Sequence, residues 1–256
     1  MGFSYRQAIG EILFAAITCR PDILYAVIRL SQFNNNPAEI HYQAVKRVFR
    51  YLRSNINDGL HFWRKHLRDD LPTLKEPLIP PDNYDVTLPG IKSTELHGYV
   101  DADWASDTRT RRSLTGIGLF LAGAPIAYRA RYQPTIALSS TESEFVAASD
   151  AGKMTLYLRS VLTQLGLQPS DATPLYEDNA AAIAMANAQR PTRRTRHLDI
   201  RYFALMDWIE RDELILTSIS THDNPADGLT KALQPVLFNR HVTSLLGKRK
   251  PQYCTF

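Results

Sequence analysis

The sequence is poor in cysteine and has no long apolar run, and both shortages exclude classes of protein. Its two cysteines, Cys19 and Cys254, lie near opposite ends of the 256 residues and match no metal-ligand spacing. We expect reduced thiols in an intracellular protein, not a disulfide framework. The longest apolar run, Ile12 to Ile17, is far below the roughly 20 residues that span a bilayer, and the N-terminus lacks the order of a signal peptide. The sequence therefore predicts neither a membrane span nor a secretory route.

The composition is that of a folded, mildly basic protein. Hydrophobic residues make up 44% and charged residues 22% of the chain, which is typical of globular domains and not of disordered ones. A formal net charge of +4 and a pI near 9.0 are compatible with a polyanionic partner.

The pattern of residues divides the chain into four segments. Residues 1–65 have helical periodicity, with one helix over Asp22 to Gln32 and another predicted to start at Asn36 and Pro37. Residues 66–94 contain five prolines among charges and are predicted to be a linker. Residues 95–232 mix strands with helices, and residues 233–256 form a helical tail.

Within the third segment, strands come first and then alternate with helices. The predicted strands are 96–101, 115–121, 125–129, 174–177 and 214–219; the predicted helices are 141–165, 179–187 and 198–211. This order predicts an α/β protein in which helices cover the faces of a mixed sheet.

Four carboxylates lie where strands end or helices begin, so the fold could bring them together. They are Asp101, Glu142, Asp178 and Asp227. Acidic groups in such a cluster repel one another unless cations bind, and hard divalent ions prefer oxygen ligands. Three of these acids also have a simpler interpretation. Asp101 fits a turn, Glu142 fits a helix capping box with Ser139, and Asp178 fits a helix N-cap. We leave the nearby acids Asp103, Glu144, Glu177 and Asp199 outside the metal set.

The neighbours of the four acids closely resemble the ribonuclease H domain of copia-type LTR retrotransposon polyproteins. The resemblance runs from about Leu96 to Lys231 and includes several ordered blocks: Tyr-Val-Asp101, Arg112-Ser-Leu-Thr-Gly116, Gln133 to Glu142, Glu-Asp178-Asn, Arg194 to Tyr202 and Ala-Asp227-Gly-Leu-Thr-Lys231. In the first segment, Arg20-Pro-Asp22 and His41 to Leu52 resemble the end of the reverse transcriptase that precedes this domain.

The resemblance implies a fold and a reaction. The fold would be a ribonuclease H-like mixed five-stranded sheet flanked by helices, preceded by a small helical reverse-transcriptase thumb or connection remnant. Asp101, Glu142, Asp178 and Asp227 would hold two Mg²⁺ ions, or Mn²⁺ in their place, for hydrolysis of the RNA strand of an RNA–DNA hybrid.

Further partners would be the polymerase domains of the same polyprotein. The location would be cytoplasmic, in a virus-like particle, with room for a nuclear phase. No polymerase site is implied, because Tyr99-Val-Asp-Ala-Asp103 does not match the family's Tyr-x-Asp-Asp turn.

Basic residues supply candidate contacts to nucleic acid. These are Arg112, Arg193, Arg194, Arg196 and His197, interleaved with threonines that also donate to phosphate oxygens. A solvated charged face explains the same run. His222 is a candidate auxiliary residue near Asp227, and a loop histidine without a role is its simpler interpretation.

Two other functions fit the sequence. The chain could be an inactive or domesticated nucleic-acid-binding remnant of the same fold, or a DNA-processing nuclease of the integrase or resolvase kind, since such enzymes share the general fold.

Overall fold

A five-stranded mixed sheet forms the centre of the molecule. The computed structural model describes residues 3–62, 95–167, 169–188 and 199–248, so the whole predicted linker and the end of the tail lie outside the described residues. The strands are β1 (His97–Asp103), β2 (Leu114–Leu121), β3 (Ala124–Tyr132), β4 (Thr173–Glu177) and β5 (Leu214–Ser218). Their order across the sheet is β3-β2-β1-β4-β5. The pairs β3–β2 and β2–β1 are antiparallel, whereas β1–β4 and β4–β5 are parallel.

Helices cover both faces of this sheet. The helices are α1 (Tyr5–Thr18), α2 (Leu24–Ser31), α3 (Glu39–Ser54), α4 (Ser140–Gln164), α5 (Ala180–Ala186), α6 (Asp199–Glu210), α7 (Asp227–Thr230) and α8 (Pro235–Leu245). The predicted five-stranded mixed sheet with flanking helices is confirmed by this architecture.

Two hydrophobic cores lie on opposite faces because side chains alternate along a strand. In one core, Val100 and Leu119 pack with Phe145 of α4. In the other, Tyr99 and Phe120 pack with Val27 of α2, so the N-terminal helices share a core with the sheet.

Polar contacts also join the N-terminal helices to the rest of the fold. The Arg29 guanidinium on α2 donates to the Tyr132 hydroxyl on β3 at 2.7 Å. Within the helical segment, the buried Asp22 carboxylate binds the Arg20 guanidinium at 2.7 Å and accepts from the Tyr51 hydroxyl at 2.8 Å. These contacts fix α2 and α3 relative to each other and to the sheet.

Helix α3 begins later than the sequence predicts. The expected start was Asn36 and Pro37, but the helix begins at Glu39, and Ala38 is the extended N-cap residue. The Ala38 backbone N–H donates to Nδ1 of His41 at 2.9 Å, which satisfies a donor at the helix start. Within the described ranges, no helix has the length and apolar character needed to cross a membrane.

Candidate active site

The register of two parallel strands brings Asp101 and Asp178 together. Tyr99 of β1 pairs with Tyr176 of β4. Two residues further along each strand are Asp101 and Asp178, at the edge where both strands reach their carboxyl ends. Asp101 is fully buried and Asp178 is half-buried. In open α/β sheets, this edge is where ligands commonly bind.

Glu144 of helix α4 completes a group of three carboxylates. One oxygen each of Asp101, Glu144 and Asp178 lies within 4.8 Å of the others. Glu144 is buried. The structure therefore places Glu144, which is not in the metal set predicted from the sequence, beside the two aspartates.

The structure does not place Glu142, the glutamate chosen from the sequence, in that group of three carboxylates. Ser139 is the N-cap of α4, and its hydroxyl accepts from the Glu142 backbone N–H at 3.1 Å. The Glu142 carboxylate turns back and accepts from the Leu138 backbone N–H at 2.8 Å. Glu142 thus satisfies a backbone donor just before the helix N-cap, a bond close to that of a capping box. Residues 142 and 144 are also about 200° apart around a helix, so they cannot point the same way.

The carboxylates are crowded enough to disfavour full ionisation. Burial raises the pKa of Glu144, and the neighbouring carboxylates of Glu177, Asp101 and Asp178 raise it further. Burial likewise raises the pKa of Glu177, the last residue of β4, against the lowering effect of a hydrogen bond from the Asn179 backbone. The negative charge is thus incompletely compensated by protein groups at this edge.

Two buried carboxylate oxygens point to a missing positive partner. Oε2 of Glu144 and Oε2 of Glu177 make no hydrogen bond to any of the described residues. Buried polar atoms are normally satisfied, so two buried carboxyl oxygens without a hydrogen-bond partner need an explanation. A divalent cation would supply one, because such ions take carboxylate oxygens as ligands. The donor set therefore fits a divalent metal ion.

Asp227 approaches the cluster from the short helix α7. It is linked to Asp101 through Lys231, whose Nζ lies 3.0 Å from Oδ1 of each aspartate. The Thr230 hydroxyl donates to the other oxygen of Asp101. Burial raises the pKa of Asp227, and the Asp101 carboxylate raises it further. The sequence analysis did not assign roles to Thr230 and Lys231.

Glycine 116 permits the close approach of α7 to β1 and β2. Gly116 pairs with Asp101 across the sheet. A Cβ atom at this position would lie 2.6 Å from Cγ2 of Thr230 and 3.0 Å from the Ala226 carbonyl oxygen. Any side chain would push α7, and with it Asp227, away from Asp101.

We therefore expect Gly116→Ala to destabilise the protein by about 1–3 kcal/mol, the usual cost of overpacking a core. Gly10→Ala is the matched control, because nothing lies within 4 Å of its Cβ position and Gly10 is inside helix α1. That exchange should stabilise by roughly 0.5–1 kcal/mol. Urea unfolding measures both, and equal stability of the two variants would contradict the packing argument.

Of the other predicted site residues, the structure describes Arg112 and His222. Arg112 is exposed in the loop between β1 and β2. His222 is exposed in a 3₁₀ turn over Thr221–Asp223. Arg193, Arg194, Arg196 and His197 lie outside the described residues.

The loop that carries Arg112 is ordered by an internal aspartate. Asp107 accepts from the Arg109 backbone N–H at 3.0 Å and from the Thr110 hydroxyl at 2.5 Å. The Asp107 backbone N–H donates to the Arg112 carbonyl at 3.1 Å. The loop thus presents the exposed Arg109, Arg111 and Arg112 after the carboxyl end of β1, the strand that carries Asp101.

Comparison with known proteins gives clear relatives along nearly the whole chain. The sequence is 34% identical over 229 residues, 90% of this chain, to the retrovirus-related Pol polyprotein from transposon TNT 1-94 of Nicotiana tabacum. It is 32% identical over 247 residues, 96% of this chain, to the corresponding polyprotein from transposon RE1 of Arabidopsis thaliana. The chain spans about 15% of the length of each relative.

The comparisons with solved structures and with family models gave weaker or no matches. LC11-RNase H1, isolated from compost, has a TM-score of 0.42 at 13% identity, covering 54% of this chain and 93% of that one. No family model matches the sequence. On the strength of the two long sequence matches, the chain belongs to the retrovirus-related Pol polyproteins of copia-type transposons.

Proposed function

We propose that this chain is the ribonuclease H part of such a polyprotein and hydrolyses the RNA strand of RNA–DNA hybrids. The observation that carries the proposal is the group of Asp101, Glu144 and Asp178, whose carboxylate oxygens lie within 4.8 Å of one another at the carboxyl ends of β1 and β4. The unpaired oxygens of Glu144 and Glu177 support it, because they leave anionic ligands for a cation to bind.

We further propose that Asp101, Glu144, Asp178 and Asp227 hold two Mg²⁺ ions, with Mn²⁺ as a substitute. Bound divalent ions supply Lewis-acid stabilisation of the phosphoryl oxygens and a nucleophilic water at neutral pH. Asp101 is anchored in the central strand, and Glu144 in the buried part of α4, so their oxygens are held by rigid elements. Such pre-positioning reduces the reorganisation needed when substrate binds.

The substrate proposed is a nucleic-acid duplex bound across this edge of the sheet. Arg109, Arg111 and Arg112 are exposed in the Asp107-ordered loop, where their guanidinium groups can contact phosphates. Phosphate neutralisation dominates the affinity of nucleic-acid binders, so binding should weaken steeply with salt. The polymerase domains of the same polyprotein are the proposed further partner.

The test is cleavage of a labelled strand in RNA–DNA, RNA–RNA and DNA–DNA duplexes with Mg²⁺, for the unchanged protein and Asp178→Asn. We expect cutting of the RNA strand of the hybrid alone. In the variant the rate should fall at least about a hundredfold, because metal activation contributes several kcal/mol and each ~1.4 kcal/mol is tenfold.

Two outcomes would overturn the proposal. Salt-sensitive binding of the hybrid without cutting, at any Mg²⁺ or Mn²⁺ concentration, would favour a nucleic-acid-binding remnant. Cutting of the DNA duplex would favour a DNA-processing nuclease. Circular dichroism of Asp178→Asn serves as the control that the variant is folded.

A further inference from the structure

Lys231 occupies the space between two of the four carboxylates assigned to the metal ions. Its Nζ is 3.0 Å from Oδ1 of Asp101 and 3.0 Å from Oδ1 of Asp227. Both aspartates are almost fully buried, with side-chain exposures of 0% and 3%. The ammonium group is therefore the cation that compensates this side of the cluster in the described residues.

The position of Lys231 also allows its ammonium group to move away from the two aspartates into solvent. Lys231 is the C-cap residue of α7 and has an extended backbone, outside the helix itself. A third of its side chain is exposed, in contrast to the aspartates it contacts. A flexible four-carbon stem ending in a strongly hydrated charge can turn to solvent without disturbing the fold.

A divalent ion shared by Asp101 and Asp227 would bind where Lys231 Nζ now contacts Oδ1 of each aspartate. The second oxygen of Asp101 is engaged by the Thr230 hydroxyl, so Oδ1 is the atom for which the two cations compete. On the other side of the cluster, Glu144 and Glu177 retain unpaired oxygens. The two halves of the site are therefore unequal: Lys231 contacts carboxylate oxygens directly in one half, whereas Oε2 of Glu144 and Oε2 of Glu177 accept no hydrogen bond from the described residues in the other.

We propose that Lys231 is a built-in competitor for one of the two divalent ions. One ion binds on the Glu144 and Asp178 side without displacing any protein cation. A second ion binds between Asp101 and Asp227 only when the ammonium group of Lys231 moves away. The lysine thereby sets the concentration of divalent ion at which the site is full. This inference rests on the proposed use of divalent ions, but not on the identity of the substrate.

A purely structural role for the lysine makes the opposite prediction. If Lys231 only ties α7 to β1, its loss would loosen Asp227 and weaken ion binding. If Lys231 competes, its loss strengthens binding of the second ion although the ion-free protein becomes less stable. The two interpretations thus predict opposite changes in the affinity of the second ion when Lys231 is replaced.

The experiment is calorimetric titration of the whole chain with MnCl₂ and, separately, MgCl₂. It compares the unchanged protein, Lys231→Met and Lys153→Met. Methionine keeps the length of the stem and removes the charge. Lys153 is the matched control, because it is an exposed lysine that pairs with a different aspartate, Asp150.

We expect one tighter and one weaker Mn²⁺ ion in the unchanged protein and in Lys153→Met. In Lys231→Met the weaker ion should bind at least about tenfold tighter. The reason is that the Lys231 ammonium group and a bound ion a few ångströms away repel each other at a partly buried site, and this repulsion exceeds the free energy of a tenfold change in affinity. Unchanged or weaker binding of the second ion in folded Lys231→Met would overturn the inference. Absence of ion binding in every protein would overturn the proposed function as well.

A second measurement on the unchanged protein covers the case in which Lys231→Met does not fold. The Cε–Hε NMR signal of Lys231, assigned by its loss in Lys231→Arg, is followed during addition of Mg²⁺. It should move to the position of a solvent-exposed lysine as the second ion binds. A signal that keeps its ion-free position at saturating Mg²⁺ would contradict displacement.

Discussion

Exchange of Glu144 for glutamine should reduce cleavage of the hybrid at least about a hundredfold, while the same exchange at Glu142 should leave the rate within about twofold. The first change removes a carboxylate from the group that includes Asp101 and Asp178, and several kcal/mol of metal activation depend on such ligands. The second affects a carboxylate that accepts from the Leu138 backbone N–H at the start of α4, a bond that glutamine can also accept. Single-turnover cleavage with saturating Mg²⁺ measures both rates.

The two variants should also differ in stability without metal. Because burial and neighbouring carboxylates raise the pKa of Glu144, the folded protein binds this proton more tightly than the unfolded chain does. The metal-free protein should therefore lose stability as pH rises above the ordinary carboxyl range. Glu144→Gln should make this loss shallower, and Glu142→Gln should not. Urea midpoints in EDTA at about pH 6 and about pH 8 test the sign. Equal cleavage by the two variants would argue for a different glutamate at the metal site.

The sheet was predictable because its strands are short apolar segments bounded by clear turn residues. The same prediction also located two of the acids, since Asp101 and Asp178 follow strands whose ends a parallel sheet places at one edge. Glu142 and Glu144 could not be separated in this way. The sequence fits a capping box from Ser139 and equally one from Thr141, and only the observed N-cap at Ser139 shows which glutamate lies at the helix start.

The role of Lys231 and the place of the N-terminal helices required three-dimensional structure. The contact between Lys231 and Asp101 spans 130 residues, and no local pattern encodes it. Helix α1 carries a stripe of Ile9, Ile12 and Ala16, which predicts an amphipathic helix. Periodicity identifies such a face but not its partner, and the structure shows that the partner core includes Tyr99 and Phe120 of the sheet.

Because helix α1 shares a core with the sheet, we expect a large loss of stability when a buried side chain of this helix is truncated. Ile12 is 1% exposed and belongs to the core that contains sheet residues, whereas Ile17, in the same helix, is 57% exposed. Ile12→Ala should lower the free energy of unfolding by about 2–5 kcal/mol, the usual cost of truncating a buried isoleucine. Ile17→Ala should change it by no more than about 0.5 kcal/mol, as expected at a surface site.

Comparing tryptophan fluorescence with circular dichroism shows whether the N-terminal helices and the sheet unfold together. Trp104 follows β1 and Trp208 lies on α6, so in a Trp63→Phe background their fluorescence reports on the part of the chain that carries the carboxylates. If the N-terminal helices and the sheet form one cooperative unit, Ile12→Ala shifts the fluorescence midpoint as far as the far-ultraviolet circular dichroism midpoint. A fluorescence transition that stays in place while the helical signal shifts would mean that the segment is an independent unit. Coincident shifts would mean that the helices resembling the end of a reverse transcriptase stabilise the very strand that positions Asp101.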